Sequence, residues 1–249
     1  MLLVGAFLWS LTGVDWGGSL IHTGGAGAAR TFFLALFPPD LSPQFLRLSL
    51  AATWPTVAYA VAGMTVAALI GLPLGILASG TVIASPRLRL PVALASRFSL
   101  GGLRAIHELI WAVLFVAAFG LSPLVAVLAL GIPYGGILGR IYGELLHDVP
   151  AEPLRALRTS GASPVRQLLY GRIPLALPDM VSYTFYRFEC AIRSAAIMSF
   201  VGIPGLGYQI QLSLHDLLFR QVWTLLLFML VLVVLVDQWS SLIRRRLAS

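Results

Sequence analysis

Charge is what this sequence has least of. Of its 249 residues, 11% are Asp, Glu, Lys or Arg, against roughly a quarter in soluble domains. A water-soluble globule of this length could not cover its surface with so few. Lysine is absent altogether, and all 17 basic residues are Arg. The single cysteine, Cys190, excludes an internal disulfide and lies in an apolar stretch. His22, His107, His147 and His215 are scattered, so no Cys/His spacing suggests a metal site. No Walker A glycine loop or acidic Mg²⁺ site is present, so the chain is not expected to hydrolyse ATP. No catalytic constellation stands out either. The segment Met1–Gly13 lacks a basic leader and a clear small-residue cleavage site, which argues against a removable signal peptide.

What the sequence has in abundance is apolar residues, 58% of the chain, with a mean hydropathy of +0.89. Disordered, collagen-like and disulfide-scaffold classes are excluded, leaving an all-α integral membrane protein as the expected class. The formal charge is +7. In a soluble protein that would suggest nucleic acid. Here the arginines fall between apolar segments, so they are expected to set topology in a lipid bilayer, with no nucleic-acid partner.

A spanning helix needs about 20 mostly apolar residues. Trp54 to Gly80 supplies one, with Gly63, Gly71, Pro73 and Gly75 inside it. Val222 to Ile243 is the cleanest. Leu109 to Gly139 is too long for one helix, and Gly120-Leu121-Ser122-Pro123 divides it into about Leu100–Phe119 and Pro123–Tyr142. Asp179 to Val201 is the least apolar span and carries Arg187, Glu189 and Arg193. Three arginine clusters follow this division: Arg87, Arg89, Arg97 and Arg104; then Arg155, Arg158, Arg166 and Arg172; then Arg244, Arg245 and Arg246. All three are cytoplasmic if an even number of helices separates each pair, as the two-helix readings provide. The segment of about 14–52 is then external. Leu2–Gly13 is short for a span and reads either as a sixth helix or as an interfacial segment. The expectation is one transmembrane domain over 1–249 with about six helices and an outer loop of about 202–221.

The segment of about 144–178 is unlike a simple connector. Pro153 suits a helix first turn, and Leu154, Leu157, Val165, Leu168 and Leu169 recur at helical spacing. Gly161 can end the first helix with positive φ, and Ser163-Pro164 can start the second. Two short amphipathic helices follow, either lying on lipid headgroups or docking a soluble partner.

This segment resembles the coupling loop of binding-protein-dependent ABC importers, which reads Glu-Ala-Ala, three residues, Gly, nine residues, Ile-x-Leu-Pro. Ala156, Gly161 and Pro174 match. Arg155 stands at the acidic position, with Glu152 one turn earlier, and Gly171 replaces the Ile. Phe37-Pro38-Pro39-Asp40, the run Arg104-Ala-Ile-His107-Glu108-Leu-Ile-Trp111, and Tyr186-Arg187-Phe188-Glu189 onward to Gly202-Ile-Pro-Gly205-Leu-Gly207 are similar to phosphonate-type permeases of that superfamily. His107 stands where Pro is commoner, and Ile203-Pro204 where Ala-Gly is commoner.

The resemblance implies a type I ABC importer permease in the bacterial inner membrane. It would pair as a homodimer or with a second permease, and bind two cytoplasmic ATPases at Glu152, Ala156, Gly161, Ala162, Ser163 and Pro174. An extracytoplasmic binding protein would deliver phosphonate, phosphite or a related anion. This chain would hold no cofactor, with ATP and Mg on the ATPases.

Glu108, Arg187, Glu189 and Arg193 lie at membrane depth, where an unpaired charge costs at least about 2.5–3.5 kcal/mol. They are expected to be paired or to face water. Glu189 and Arg193, at i and i+4, share a helix face and read as an ion pair. Arg187 points away from it and reads as a lining of the anion path. Asp237 is expected to meet Arg244–Arg246. The turn of Gly202, Gly205 and Gly207 reads as a loop cap or as part of an outer gate. Rival readings are an intramembrane enzyme, an ion-gradient-driven transporter, and an ABC permease for methionine or an osmolyte.

Overall fold

The computed structural model describes residues 2–13 and 25–248. The expected external segment therefore lies partly outside the described residues. The protein is 85% helical, and no strand occurs among the described residues. In chain order the helices are α1 (Leu2–Thr12), α2 (Gly25–Leu34), α3 (Pro43–Ser79), α4 (Pro86–Ala105), α5 (Glu108–Phe119), α6 (Pro123–His147), α7 (Ala151–Thr159), α8 (Pro164–Gln167), α9 (Ile173–Met198), α10 (Leu206–His215) and α11 (Phe219–Ala248).

Three of these, α3, α6 and α11, are long and apolar enough to cross a membrane unaided. Two bent pairs bring the number to five: α4 with α5, at 81°, and the run from Pro164 to Val201 with α10, at 45°. The 11 residues of α1 reach about 16 Å at 1.5 Å per residue, roughly half the hydrocarbon thickness. None of them is buried.

The core is the contact of α3 with α6, and small residues make it possible. Gly131, Gly135, Gly139 and Gly143 recur every fourth residue along one face of α6, opposite Gly63, Ala67, Gly71 and Gly75 of α3. A Cβ on Gly71 would sit 2.9 Å from the Gly139 nitrogen and 3.0 Å from the Gly135 carbonyl oxygen. Backbone approach of this kind holds helices together where lipid removes the hydrophobic driving force between them. Around it Tyr59, Met64, Leu130, Leu138, Ile192 and Met198 pack as one cluster, with α9 as the third wall. A second cluster, Phe45, Ala52, Leu206, Ile210, Val222 and Leu225, joins α3, α10 and α11 at the opposite end from α7.

Several boundaries differ from expectation. The first full span begins at Pro43 rather than Trp54, because Pro55 and Pro73 are absorbed inside a 37-residue helix. Arg87, Arg89, Arg97 and Arg104 stand on helix α4 rather than in a loop. The second amphipathic helix of the 144–178 segment is not separate. α8 passes through a π-helical turn, Leu168–Arg172, directly into α9. Pro174 has no N–H and its ring needs room from the preceding turn, and a π turn supplies that relief without ending the helix. Much of the expected outer loop is helix α10.

Candidate functional site

The α7–α8 turn folds as its sequence suggests. Gly161 has φ +77°, the Ala162 N–H donates to the Leu157 carbonyl at 3.0 Å, and the Gly161 N–H donates to that of Arg158 at 3.0 Å. This pair of bonds is a Schellman cap, and it satisfies carbonyls that the end of α7 leaves open. The Ser163 hydroxyl caps the next helix, accepting from the Arg166 N–H at 3.4 Å. Leu154 is buried and presses on Gly171, where a Cβ would lie 2.8 Å from the leucine side chain. Gly171 thus makes room for α7, a role the sequence did not reveal. Glu152, Arg155, Ala156, Gly161, Ser163 and Pro174 remain exposed, and Ala162 is half-buried. The Arg172 guanidinium donates to the Leu146 and His147 carbonyls, fastening the turn to the end of α6.

The membrane charges are arranged differently from expectation. Glu189 is buried and pairs with Arg244 of α11 at 2.5 Å, not with Arg193. Arg244 also donates to Ser240 one turn earlier on its own helix, and its ion pair is with Glu189 of α9 rather than with Asp237. A helical side chain leans towards its own N-terminus. α9 and α11 run in opposite directions, so Glu189 and Arg244 lean towards each other from different helices. Arg193 is exposed and donates to Cys190 Sγ at 3.5 Å. Arg187 behaves as a separate group. Its Nε donates to Tyr183 Oη at 2.8 Å, and the guanidinium lies 5.3 and 5.6 Å from the Tyr183 and Tyr186 ring centroids. It has no carboxylate partner among the described residues, and aromatic faces stabilise such a cation.

Glu108 takes a hydrogen bond from Ser194 Oγ at 2.7 Å, and that hydroxyl also meets Tyr134 Oη at 3.1 Å. His107 caps α5, its Nδ1 accepting from the Leu109 N–H, and its Nε2 stands 3.6 Å from Glu108. The bend between α4 and α5 carries Arg104 away from this group, so the two charges of the Arg104–Glu108 motif are not paired. Arg104 instead lines a cavity of about 270 Å³ with Arg97 and Arg140, beside Glu144, His147 and Asp148. Arg140 was not singled out from sequence, because it sits one turn from Glu144 and reads as an ordinary surface pair.

The glycine turn is a packed joint. Gly202 has φ +98° and rests near Leu121. Gly205 and Gly207 are buried, and a Cβ on Gly207 would overlap the Ala196 carbonyl oxygen. The Leu206 N–H donates to Thr56 Oγ1 at 3.0 Å, tying the turn to α3. At the same end, Asp40 and Pro38 are fastened to α11: Thr224 Oγ1 donates to the Asp40 carbonyl at 2.9 Å, and Arg220 Nε to the Pro38 carbonyl at 2.7 Å.

The chain is similar to known proteins in sequence and in fold. The family described as binding-protein-dependent transport system inner membrane component matches residues 71–249. The phosphite transport system permease protein PtxC of Stutzerimonas stutzeri is 32% identical, over 84% of this chain and 74% of its own length. The putative phosphite transport system permease protein HtxC of the same organism is 31% identical, over 88% and 77%. In structure, a chain of the MetNI methionine ABC transporter in an inward-facing conformation superposes with a TM-score of 0.71 at 23% identity, covering 83% of this chain and 99% of that one. That likeness establishes the type I ABC importer permease fold. With its apolar spans, its α3–α6 core and its Gly161 turn, the chain belongs to the family of binding-protein-dependent transport system inner-membrane components, and is a multi-pass permease of the inner membrane.

Proposed function

We propose that this chain is the membrane path of an ATP-driven importer for phosphite, phosphonate or a related phosphorus oxyanion. The observation that carries the reading is the likeness to two phosphite permeases over most of this chain and about three quarters of each relative. The excess of arginine over acid at membrane depth supports it. Arg187, held by two tyrosines and unmatched by a carboxylate, offers a cation to an anion in transit. Two copies of the chain, or this chain and a second permease, form the path between them. An extracytoplasmic binding protein delivers the anion at the end where Gly202, Gly205 and Gly207 close against α3.

The 144–178 segment is the coupling loop. A soluble ATPase grips the exposed face of Glu152, Arg155 and Ala156, and the capped Gly161 turn keeps that face rigid. ATP binding closes the ATPase pair and rocks the permease halves, and hydrolysis resets them. The chain contributes shape and charge, while the ATPases contribute the hydrolytic chemistry. Arg155 in place of an acid asks for a receiving groove with a complementary carboxylate.

The test is uptake into proteoliposomes holding the assembled transporter and its binding protein, with ion gradients collapsed. ATP-dependent entry of phosphite or a phosphonate is the expected result. Entry of methionine or a betaine in preference would move the chain to another solute class. Uptake driven by an ion gradient without ATP would remove the importer reading. Within this assay, Arg187→Gln should leave complex yield near normal while lowering anion uptake by roughly tenfold, the scale of one charge-assisted contact.

A further inference from the structure

The geometry points to a second anion station: the cavity of Arg97, Arg104 and Arg140, near the α7 end of the bundle, holds the transported phosphorus oxyanion before release. The inference rests on the reading of the chain as an oxyanion permease and adds where within it the cargo pauses.

The cavity is open to one side and has a volume of about 270 Å³. One water takes up about 30 Å³ in the liquid, so a tetrahedral oxyanion fits with part of its hydration shell. Three guanidinium groups line it. Arg140 is bonded to Glu144 at 2.8 Å and is largely neutralised. Arg97 donates its Nε to the Ala78 carbonyl at 3.0 Å, which orients the group without cancelling its charge. Arg104 has no hydrogen-bond or ion-pair partner among the described residues. Asp148 and His147 lie at the rim, where the His147 ring meets the Ser79 carbonyl at 3.4 Å. Three arginines against Glu144 and Asp148 leave the lining one positive charge in excess, and Arg97 and Arg104 are the arginines that carry it.

Depth gives that surplus a purpose. The Gly136 backbone packs beside Arg104, with the Arg104 nitrogen 3.1 Å from where a Cβ would be. Gly136 lies about three turns before His147, so Arg104 stands roughly 16 Å from the end of α6. The Arg104 side chain leans back along α4 from there into the cavity, where Arg97, Arg104 and Arg140 are all exposed, and a cation below the membrane surface is sustained by water or by an anion. Guanidinium groups suit phosphorus oxyanions through paired, charge-assisted N–H···O bonds. A lipid headgroup phosphate offers the same chemistry, and the experiment separates the two sources.

The assembled permease–ATPase complex, nucleotide-free and without binding protein, is placed in phosphatidylcholine nanodiscs and titrated with radiolabelled phosphite and inorganic phosphate. Wild type should bind at least one of them. Arg104→Gln should weaken that binding by about tenfold or more, and Arg97→Gln similarly. Arg87→Gln, on the same helix but outside the cavity, should leave it unchanged. Arg104 makes no hydrogen bond or ion pair among the described residues that its loss would break, so the yield of assembled complex with Arg104→Gln should match wild type, and Arg87→Gln should match it in basal ATP hydrolysis as well. Equal binding by wild type and both cavity variants overturns the inference while leaving the oxyanion reading intact if wild-type proteoliposomes still import phosphite. Absence of phosphorus-oxyanion uptake by wild type overturns the oxyanion reading itself. Copurified phosphatidylglycerol that Arg104→Gln loses, with phosphite binding unchanged, assigns the cavity to a lipid headgroup and overturns its assignment to cargo.

Discussion

Single residues carry two constraints of different physical kinds. Gly161 has open space around it, so any objection to a side chain there comes from φ +77° rather than from crowding. A left-handed conformation costs an L-residue about 1–2 kcal/mol, more for a β-branched one and less for Asn. Gly161→Val should therefore lower ATP-driven uptake without preventing membrane insertion, and Gly161→Asn should retain most of it. Equal uptake by wild type and Gly161→Val would remove the need for a rigid turn. The Glu189–Arg244 pair is a matter of burial. Removing one partner of a buried pair typically costs about 3–5 kcal/mol, because the other charge is left unmatched. Glu189→Ala and Arg244→Ala should each reduce the yield of assembled complex in detergent, and the double substitution should restore part of it. Arg193→Ala should assemble normally, since Arg193 is exposed and, among the described residues, bonded only to Cys190. A loss with Arg193→Ala equal to that with Arg244→Ala would point back to an i,i+4 pair on α9.

At the scale of elements, the α3–α6 contact is set by backbone against backbone. A valine at Gly71 would meet the Gly139 nitrogen and the Gly135 carbonyl, neither of which can swing aside. Overpacking of this kind costs about 1–3 kcal/mol or more. Gly71→Val should lower the thermal midpoint and yield of the purified complex, whereas Gly101→Val, with nothing within 4 Å of its added Cβ, should not. The same midpoint for both would mean that α3 and α6 can slide apart at no cost. The π turn at Leu168–Arg172 lets the coupling segment and α9 form one continuous helix through Pro174. A push on α7 and α8 is thereby delivered to the helix bearing Arg187 and Glu189.

Across the whole molecule, the stretch 37–40 staples the start of α3 to the start of α11. Hydrogen bonds hold the Asp40 carboxyl below the usual carboxylate range, the Ser42 backbone N–H foremost and Gln221 also contributing. A carboxyl whose folded pKa is depressed stabilises fully above its unfolded value, and that contribution is lost as pH falls through the folded one. Asp40→Asn should lower the thermal midpoint of the complex at neutral pH. The gap from wild type should close as pH falls below the ordinary carboxylate range. A gap that stays constant as pH falls well below that range would show that the carboxylate charge plays no part in the staple.

Helical class, membrane location and the Gly161–Ser163 turn were legible in the residues, because hydropathy, 3.6-residue periodicity and capping act over neighbouring positions. The row from Gly131 to Gly143 was not read from the sequence, and nothing in its four-residue spacing names α3 as the helix it meets. Local spacing favoured Arg193 as the partner of Glu189, and tertiary packing brought Arg244 from 55 positions away. The 81° bend at Ile106–His107 likewise separated Arg104 from Glu108 and turned it into the cavity with Arg97 and Arg140. Apolar periodicity and backbone caps are properties of a chain segment and can be read along it. Which charges meet depends on how distant helices cross and which way their side chains lean, and that is decided only when the bundle closes.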